Sequence, residues 1–251
     1  MMKALVNFNG EELNFDLERA LDVSMPLRTD ANAAKAWYVP PLRIEAVRTE
    51  HFIGDVNQGG SVNFNDIYFN PHGHGTHTES LGHISPRHES VNQCLKQFHF
   101  VARLISIQPR SIDGDLVIRA EDVKKELTGK CQAVLIRTLP NSDEKLTRQY
   151  SDTNPPYIEA SAIDHLLDMG VDHLLIDLPS VDKEVDNGVL SAHHRFWNFP
   201  DHPAQHRTIT EFIYVPNEIE DGLYLLNIQL SPFENDAAPS KPVLFPLIKK
   251  V

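Results

Sequence analysis

The sequence contains few cysteines and few basic residues. Two cysteines among 251 residues provide neither a disulfide framework nor a thiolate metal site, which favours a reducing compartment. Acidic residues outnumber basic ones by 35 to 23, and the net charge of −12 argues against binding to nucleic acid or to an anionic membrane. We therefore expect a small-molecule partner.

Long apolar runs are missing as well. No uncharged apolar stretch reaches the roughly 18 residues of a membrane-spanning helix, and residues 1–5 are not part of a signal-peptide pattern. We therefore expect a cytoplasmic protein. No internal repeat or low-complexity block divides the chain, so residues 1–251 are predicted to form one domain with a full hydrophobic core.

The middle of the chain alternates between strand and helix patterns. Apolar and β-branched runs, with glycine as a stop signal, predict strands over 98–107, 114–118, 132–138 and 173–177 and helices over 120–127 and 158–169. Two later strands, over 208–215 and 222–230, have no helical stretch between them, so we expect a mixed rather than a purely parallel sheet. Segment 182–207 is expected to be a long functional loop.

Histidine is abundant, and five of the 13 histidines fall within 17 residues: His72, His74, His77, His83 and His88. Imidazole and carboxylate are good ligands for zinc or manganese. His77 and Glu79 are two residues apart, so in an extended chain both side chains point to the same side. His72 could fold back across two glycines to supply a third ligand. The segment is therefore a candidate metal site.

Each of these histidines also has a less specific interpretation. A histidine-rich loop with glycines can be merely solvent-exposed, and His74 is expected to be a surface residue. His83 is either a hydrogen-bonded structural histidine or a group that transfers protons near neutral pH. The sequence pattern alone leaves both interpretations open.

The same segment resembles the metal-binding motif of the cyclase-like family that includes bacterial kynurenine formamidases and isatin hydrolases. The family pattern is H-x-G-T-H-x-D-x-P-x-H. Gly75-Thr76-His77 fits its centre and His83 its closing histidine, while Glu79 stands where the family usually has aspartate. His72 is one residue farther from the motif centre than the pattern asks, and His74 is the competing candidate for the first histidine.

Other segments resemble landmarks of the same family. Residues 21–27 are similar to its N-terminal D-x-S-x-P-L segment. Residues 178–182 and 190–194 resemble its S-V-D…A-H-H signature, and residues 210–212 fall where the family places a ligand glutamate. The landmarks follow one another in the family's order over most of the chain.

The resemblance implies an α/β fold with a mixed sheet, a β-barrel-like core and peripheral helices, commonly in a homo-oligomer. It also implies one or two divalent ions, with zinc preferred over manganese. The implied ligands are His72, His77 and Glu79 for the first ion, and Glu79, His193 and Glu211 for a second. The stretch between His193 and Glu211 is longer than is usual in the family, so His194 or His206 could be the ligand in place of His193.

The implied activity is hydrolysis of a carbon–nitrogen amide bond, as in an arylformamidase. The substrate would be N-formylkynurenine or a small cyclic amide, attacked by metal-activated water with His83 as acid and base. Two other hypotheses use the same scaffold. One is a non-hydrolytic, metal-dependent small-molecule binding protein, and the other is a cyclase or dehydratase.

Overall fold

The computed structural model describes residues 2–249, which form eighteen strands, four α-helices and three short 3₁₀-helical turns. The strands are β1 (Lys3–Phe8), β2 (Glu11–Asp16), β3 (Leu21–Asp22), β4 (Arg43–Ala46), β5 (Arg48–Thr49), β6 (Phe52–Ile53), β7 (Asn65–Tyr68), β8 (His77–Glu79), β9 (His99–Ile107), β10 (Arg110–Ile112), β11 (Asp115–Ile118), β12 (Ala133–Thr138), β13 (Tyr157–Ile158), β14 (His173–Ile176), β15 (Thr208–Glu211), β16 (Gly222–Leu230), β17 (Ala237–Pro246) and β18 (Ile248–Lys249). The helices are α1 (Val91–Cys94), α2 (Ala120–Glu126), α3 (Ala160–Asp168) and α4 (Ser191–Trp197), and the turns are Val56–Gln58, Leu81–His83 and Asp143–Leu146.

Seven strands close into a barrel in the order β16-β9-β12-β14-β15-β8-β17, and β17 pairs back to β16. Strands β9, β12, β14 and β15 are parallel to one another, whereas β8, β16 and β17 are antiparallel to their neighbours. The sheet is therefore mixed, as the sequence pattern predicts, and the barrel-like core implied by the resemblance is confirmed.

Apolar residues on both faces of the parallel strands explain why these strands are buried. Side chains alternate along a strand, so Ala133 and Leu135 of β12 pack inside the barrel, while Val134 and Ile136 pack outward against α2, α3 and α4. Because each crossover between parallel strands carries one of these helices, the helices cover the outer face of the sheet.

Local patterns predict most elements of this region well. The predicted strands over 98–107, 114–118, 132–138 and 173–177, and both predicted helices, occur within two residues of their predicted ends. The strand predicted over 222–230 matches β16.

Two predictions in the last third need correction. The strand predicted over 208–215 ends at Glu211, because Phe212 has a left-handed backbone with φ of 55°, which turns the chain out of the ladder. The segment predicted as a loop over 182–207 contains α4. The carboxylate of Asp182 accepts hydrogen bonds from the first free backbone N–H groups of this helix, so its capping residue lies nine positions before its first turn.

No helix in the described part of the chain is long and apolar enough to cross a membrane.

Candidate metal centre

Strand β8 carries two of the candidate ligands. His77 and Glu79 are fully buried and, being two residues apart, share one face of the strand. The strand is held on both sides, by β15 and by β17, in a register that places His77 opposite Glu211. The predicted same-side orientation of His77 and Glu79 follows from this extended backbone.

The turn before β8 places His72, rather than His74, beside the carboxylate of Glu79. His72 Nδ1 lies 3.3 Å from Glu79 Oε2, and its ring centroid is 5.2 Å from that of His77. His74 is buried, contrary to its predicted surface position, and its Nε2 lies 2.8 Å from the carbonyl oxygen of Pro40. The Asn70 carbonyl and the Asn70 N–H also contact the His74 ring. His74 therefore fixes the turn, and His72 faces the carboxylate.

The hydroxyl of Thr76 joins three segments that the sequence singled out. It accepts a hydrogen bond of 2.7 Å from the Met25 N–H and donates one to the carbonyl oxygen of Phe212. Gly75, one residue earlier, has a positive φ of 69°, and a β-carbon there would lie 3.1 Å from a methyl group of Leu27. These contacts place the N-terminal segment, the histidine-rich segment and the end of β15 against one another.

The second half of the chain contributes His193 and Glu211. His193, on α4, has its Nε2 3.1 Å from Glu79 Oε1 and 3.9 Å from Glu211 Oε1. Glu211, the last residue of β15, has its Oε2 3.3 Å from His77 Nε2, and its Oε1 accepts the N–H of Val181. All five predicted ligands therefore converge, although they are spread over residues 72–211.

The alternative histidines lie elsewhere. His194 Nδ1 is 3.1 Å from the carbonyl oxygen of Phe199, and His206 pairs with Asp172 with most of its side chain exposed. Within residues 2–249, neither belongs to a group of three donors that could hold an ion. Of the adjacent pair His193 and His194, only His193 faces Glu79.

Asp182 orients His193. Its Oδ2 is 2.6 Å from His193 Nδ1 and also accepts the His193 backbone N–H at 3.1 Å. A carboxylate in this position fixes the ring orientation of a ligand histidine and directs its other nitrogen inward. Asp177, the other aspartate that follows β14, instead pairs with Lys145 at 2.7 Å and has no contact with these histidines.

His83 stands at the edge of the cluster, in the 3₁₀ turn that follows β8. Its Nδ1 is 3.8 Å from Glu79 Oε2, its ring centroid lies 4.4 Å from that of His72, and 30% of its side chain is exposed. It is therefore both close to the buried donors and open to a bound molecule.

Asp236 is part of the site, although no sequence pattern predicts it. Its Oδ2 lies 2.9 Å from His72 Nε2 and 3.4 Å from His83 Nδ1. The residue precedes β17 in a polar stretch, Glu234-Asn235-Asp236, that has no motif character. Only the pairing of β17 with β8 brings it here, so no local signal could have identified it.

The acids of the cluster attract positive charge. Burial disfavours the protonated ring of His72, but the hydrogen bond to Asp236 and the negative charge of Glu79 outweigh burial and raise its pKa to about 10. Burial likewise opposes protonation of His193, whose pKa is raised to about 10 by Asp182 and Glu79. Burial would raise the pKa of Glu79, yet the surrounding histidines hold it well below its usual range. Protons or a divalent cation must therefore balance these carboxylates.

The donor set fits a divalent cation. His77 Nε2 and Glu79 Oε2 are buried without a hydrogen-bond partner among the described residues, which is unusual for polar atoms in a folded core. Three groups have ligand atoms within 4.8 Å of one another: His72 with His77 and Glu79, Glu79 with His83 and His193, and His72 with His83 and Asp236. Because Glu79 belongs to two of these groups, its carboxylate could contact two ions. Imidazole and carboxylate donors suit zinc or manganese.

A cavity of about 340 Å³ opens beside these groups, a size typical of small-molecule sites. Its walls include His72, His83, His193 and Glu211, the apolar side chains of Trp37, Val39 and Leu190, and the polar residues Asn70, Ser180, Lys183, Glu184 and Asp186. A bound molecule would contact both the candidate ligands and an apolar surface.

Solved structures share this fold. A protein described as a potential metal-dependent hydrolase with cyclase activity is 16% identical, with a TM-score of 0.63 over 90% of this chain and 97% of its own. An isatin hydrolase bound to the product analogue thioisatinate is 15% identical, with a TM-score of 0.60 over 92% of this chain and 93% of its own. Isatin hydrolase A from Labrenzia aggregata, bound to benzyl benzoate, is also 15% identical, with a TM-score of 0.64 over 92% of this chain and 94% of its own.

Sequence comparison identifies the family directly. No curated protein matches the sequence. The family model named Cyclase, described as "Putative cyclase", matches residues 21–183, which is more than half of the chain. The matched range contains Thr76, His77, Glu79, His83 and Asp182, and therefore the first half of the site described above. The chain belongs to the Cyclase family.

Proposed function

We propose that the protein is a metal-dependent hydrolase that cleaves a carbon–nitrogen amide bond. The observation that carries this proposal is the convergence of His72, His77, Glu79, His193 and Glu211 beside a cavity, with two buried donor atoms that lack a hydrogen-bond partner in the described chain. These five residues are the proposed ligands of one or two divalent ions, with zinc preferred over manganese.

In this proposal, some residues of the chain bind the metal and another transfers protons. A divalent ion held by the proposed ligands would supply a water of lowered pKa and a charge that stabilises the developing oxyanion. His83 borders both the donors and the cavity, so it is placed to accept a proton from water and return it to the leaving nitrogen. Such a group typically contributes about 10² to 10⁴ in rate.

The proposed substrate is a formyl amide such as N-formylkynurenine or a small cyclic amide. The cavity volume of about 340 Å³ suits a molecule of this size. Trp37 and Val39 provide an apolar surface for a ring, while Asn70 and Lys183 provide polar groups at the same cavity. The resemblance to isatin hydrolases supports the cyclic amide in particular.

Two variants test the division of roles. His77→Ala should lose bound metal, because it removes a buried ligand. His83→Ala should keep bound metal but lower turnover at least about 100-fold. Metal per chain is measured by elemental analysis, and turnover is measured on a panel of formyl amides, lactams and lactones.

His51→Ala is the matched control, since the side chain of His51 is 87% exposed and should change neither quantity. Full metal content and activity in His77→Ala would refute the ligand assignment. Bound metal without hydrolysis of any panel member would favour the non-hydrolytic binding protein. Turnover that consumes no water would favour the cyclase or dehydratase.

The predicted homo-oligomer and cytoplasmic location stay part of the proposal. The segment from β4 to β7 exposes several large apolar side chains, including Ile44, Phe64 and Ile67, each at least 44% exposed, and such surfaces are typical of interfaces. Light scattering of the purified protein measures the oligomeric state. The low cysteine count supports the location.

A further inference from the structure

Strand pairing fixes the backbone of Asp236 beside the candidate metal centre. Glu79 of β8 pairs with Ala237 of β17, so the residue before Ala237 lies next to the residue after Glu79. Ser80 completes this junction, because its N–H donates to the carbonyl oxygen of Asp236 at 2.9 Å, while its hydroxyl donates to the carbonyl oxygen of Glu89 at 2.6 Å. The backbone of Asp236 is therefore held in place beside β8, the strand that carries Glu79.

One oxygen of this carboxylate faces two imidazoles. Asp236 Oδ2 is 2.9 Å from His72 Nε2 and 3.4 Å from His83 Nδ1. An ionised carboxylate only accepts hydrogen bonds. In a neutral histidine one ring nitrogen is a donor and the other is an acceptor, and the partner of one nitrogen decides the state of the other.

The two contacts leave the free lone pair on different nitrogens of the two rings. His72 with its proton on Nε2 has its lone pair on Nδ1, which lies 3.3 Å from Glu79 Oε2 on the side of the other proposed ligands. His83 with its proton on Nδ1 has its lone pair on Nε2. The first arrangement suits a metal ligand, and the second suits a proton acceptor.

We propose that Asp236 is a positioning residue that fixes the tautomers of both His72 and His83 through one carboxylate oxygen. It leaves the lone pair of His72 on Nδ1, available to a metal ion, and the lone pair of His83 on Nε2, available to accept a proton. The role assigned to His83 rests on the proposed function, whereas the role assigned to His72 needs only metal binding. Carboxylates that accept from a ligand histidine typically contribute about 10- to 100-fold in metal affinity.

The experiment uses the full chain loaded with Zn²⁺ and labelled with ¹⁵N in histidine. In the unmodified protein, the ring nitrogen shifts should show the proton of His72 on Nε2 and that of His83 on Nδ1. Asp236→Asn keeps the shape but removes the charge, so Zn²⁺ affinity in a chelator competition should fall about 10- to 100-fold and His83 should become a mixture of tautomers. Asp236→Glu should restore part of both.

Glu234→Gln is the matched control, because Glu234 lies on the same loop and binds the side chains of Asn92 and Gln93 rather than a histidine. It should leave Zn²⁺ affinity and both tautomers unchanged. An equal effect of Glu234→Gln and Asp236→Asn would show that loop position matters rather than the carboxylate, and would overturn the proposal.

The unmodified protein provides a test even if Asp236→Asn does not fold. A His83 ring with its proton on Nε2, or a His83 nitrogen coordinated to Zn²⁺, would overturn the proposal directly. A protein that hydrolyses no amide but shows the expected tautomers and Zn²⁺ affinities would instead refute the hydrolase function and leave the role of Asp236 at His72 intact.

Discussion

Lys145→Met tests how the end of β14 is held beside the site. Lys145 Nζ lies 2.7 Å from Asp177 Oδ2 and also donates to the Thr138 carbonyl and hydroxyl and to Asn141 Oδ1 at 2.6–3.0 Å. Asp177 is fully buried, and its remaining donors are the N–H and hydroxyl of Thr138, each at 2.9 Å. Methionine fills similar space but leaves the carboxylate charge without its counterion.

The expected cost follows from this geometry. Breaking a buried ion pair by removing one partner typically costs about 3–5 kcal/mol, because a buried charge is left uncompensated. Burial already raises the pKa of Asp177 more than Lys145 and Thr138 lower it, so the variant should raise it further. Since the folded variant then binds a proton more tightly than the unfolded chain, its deficit in stability should shrink as the pH falls.

Urea unfolding at pH 7.5 and pH 5 measures both effects. Asp177→Asn should cost less than Lys145→Met, because Lys145 keeps three other acceptors. The double variant should cost less than the sum of the two single changes. A loss below about 1 kcal/mol for Lys145→Met at pH 7.5 would refute the reasoning, since it is the size expected for an exposed pair.

Three further predictions concern stability and metal binding. Burial lowers the pKa of His173 from 6.5 to about 4. The free energy of unfolding should therefore fall by about 3 kcal/mol as the pH drops from 6.5 to 4, because the unfolded chain binds the proton more tightly. In urea unfolding at a series of pH values, His173→Leu should lack this part of the pH dependence. Gly82→Ala should cost about 1–3 kcal/mol in thermal unfolding, because the new β-carbon would lie 2.1 Å from the Glu89 carbonyl oxygen; an unchanged melting temperature would contradict this. Asp182→Asn should weaken Zn²⁺ binding about 10- to 100-fold by releasing His193, as calorimetry would show.

The sequence predicts those parts of the molecule whose signals are local. The apolar run of β12 is buried on both faces, so its pattern alone identifies it as a strand. The spacing of His77 and Glu79 predicts their shared face, and the family resemblance adds His193 and Glu211, which local patterns would have left as surface residues.

The remaining features depend on contacts between distant segments. Asp182 caps α4 from outside the helix, so the helix start carries no capping residue of its own. Asp236 reaches His72 only through the register between β8 and β17, and the two residues are 164 positions apart. The strand after Thr208 ends early because Phe212 adopts a left-handed backbone. None of these contacts leaves a periodic trace in the sequence.

The three-residue strand β8 explains where this lineage could tolerate an added residue. Because neighbouring side chains of a strand point in opposite directions, an insertion inside β8 would swing Glu79 away from His77 and break the pairing with both flanking strands. The turn formed by residues 70–75 lies outside the strand ladder, so an added residue there leaves the pairing of β8 intact, while the contacts of His74 with Asn70 and Pro40 hold the turn that brings His72 to the carboxylate. The longer spacing from His72 to His77 thus falls in the part of the motif where evolution can alter length without dismantling the barrel.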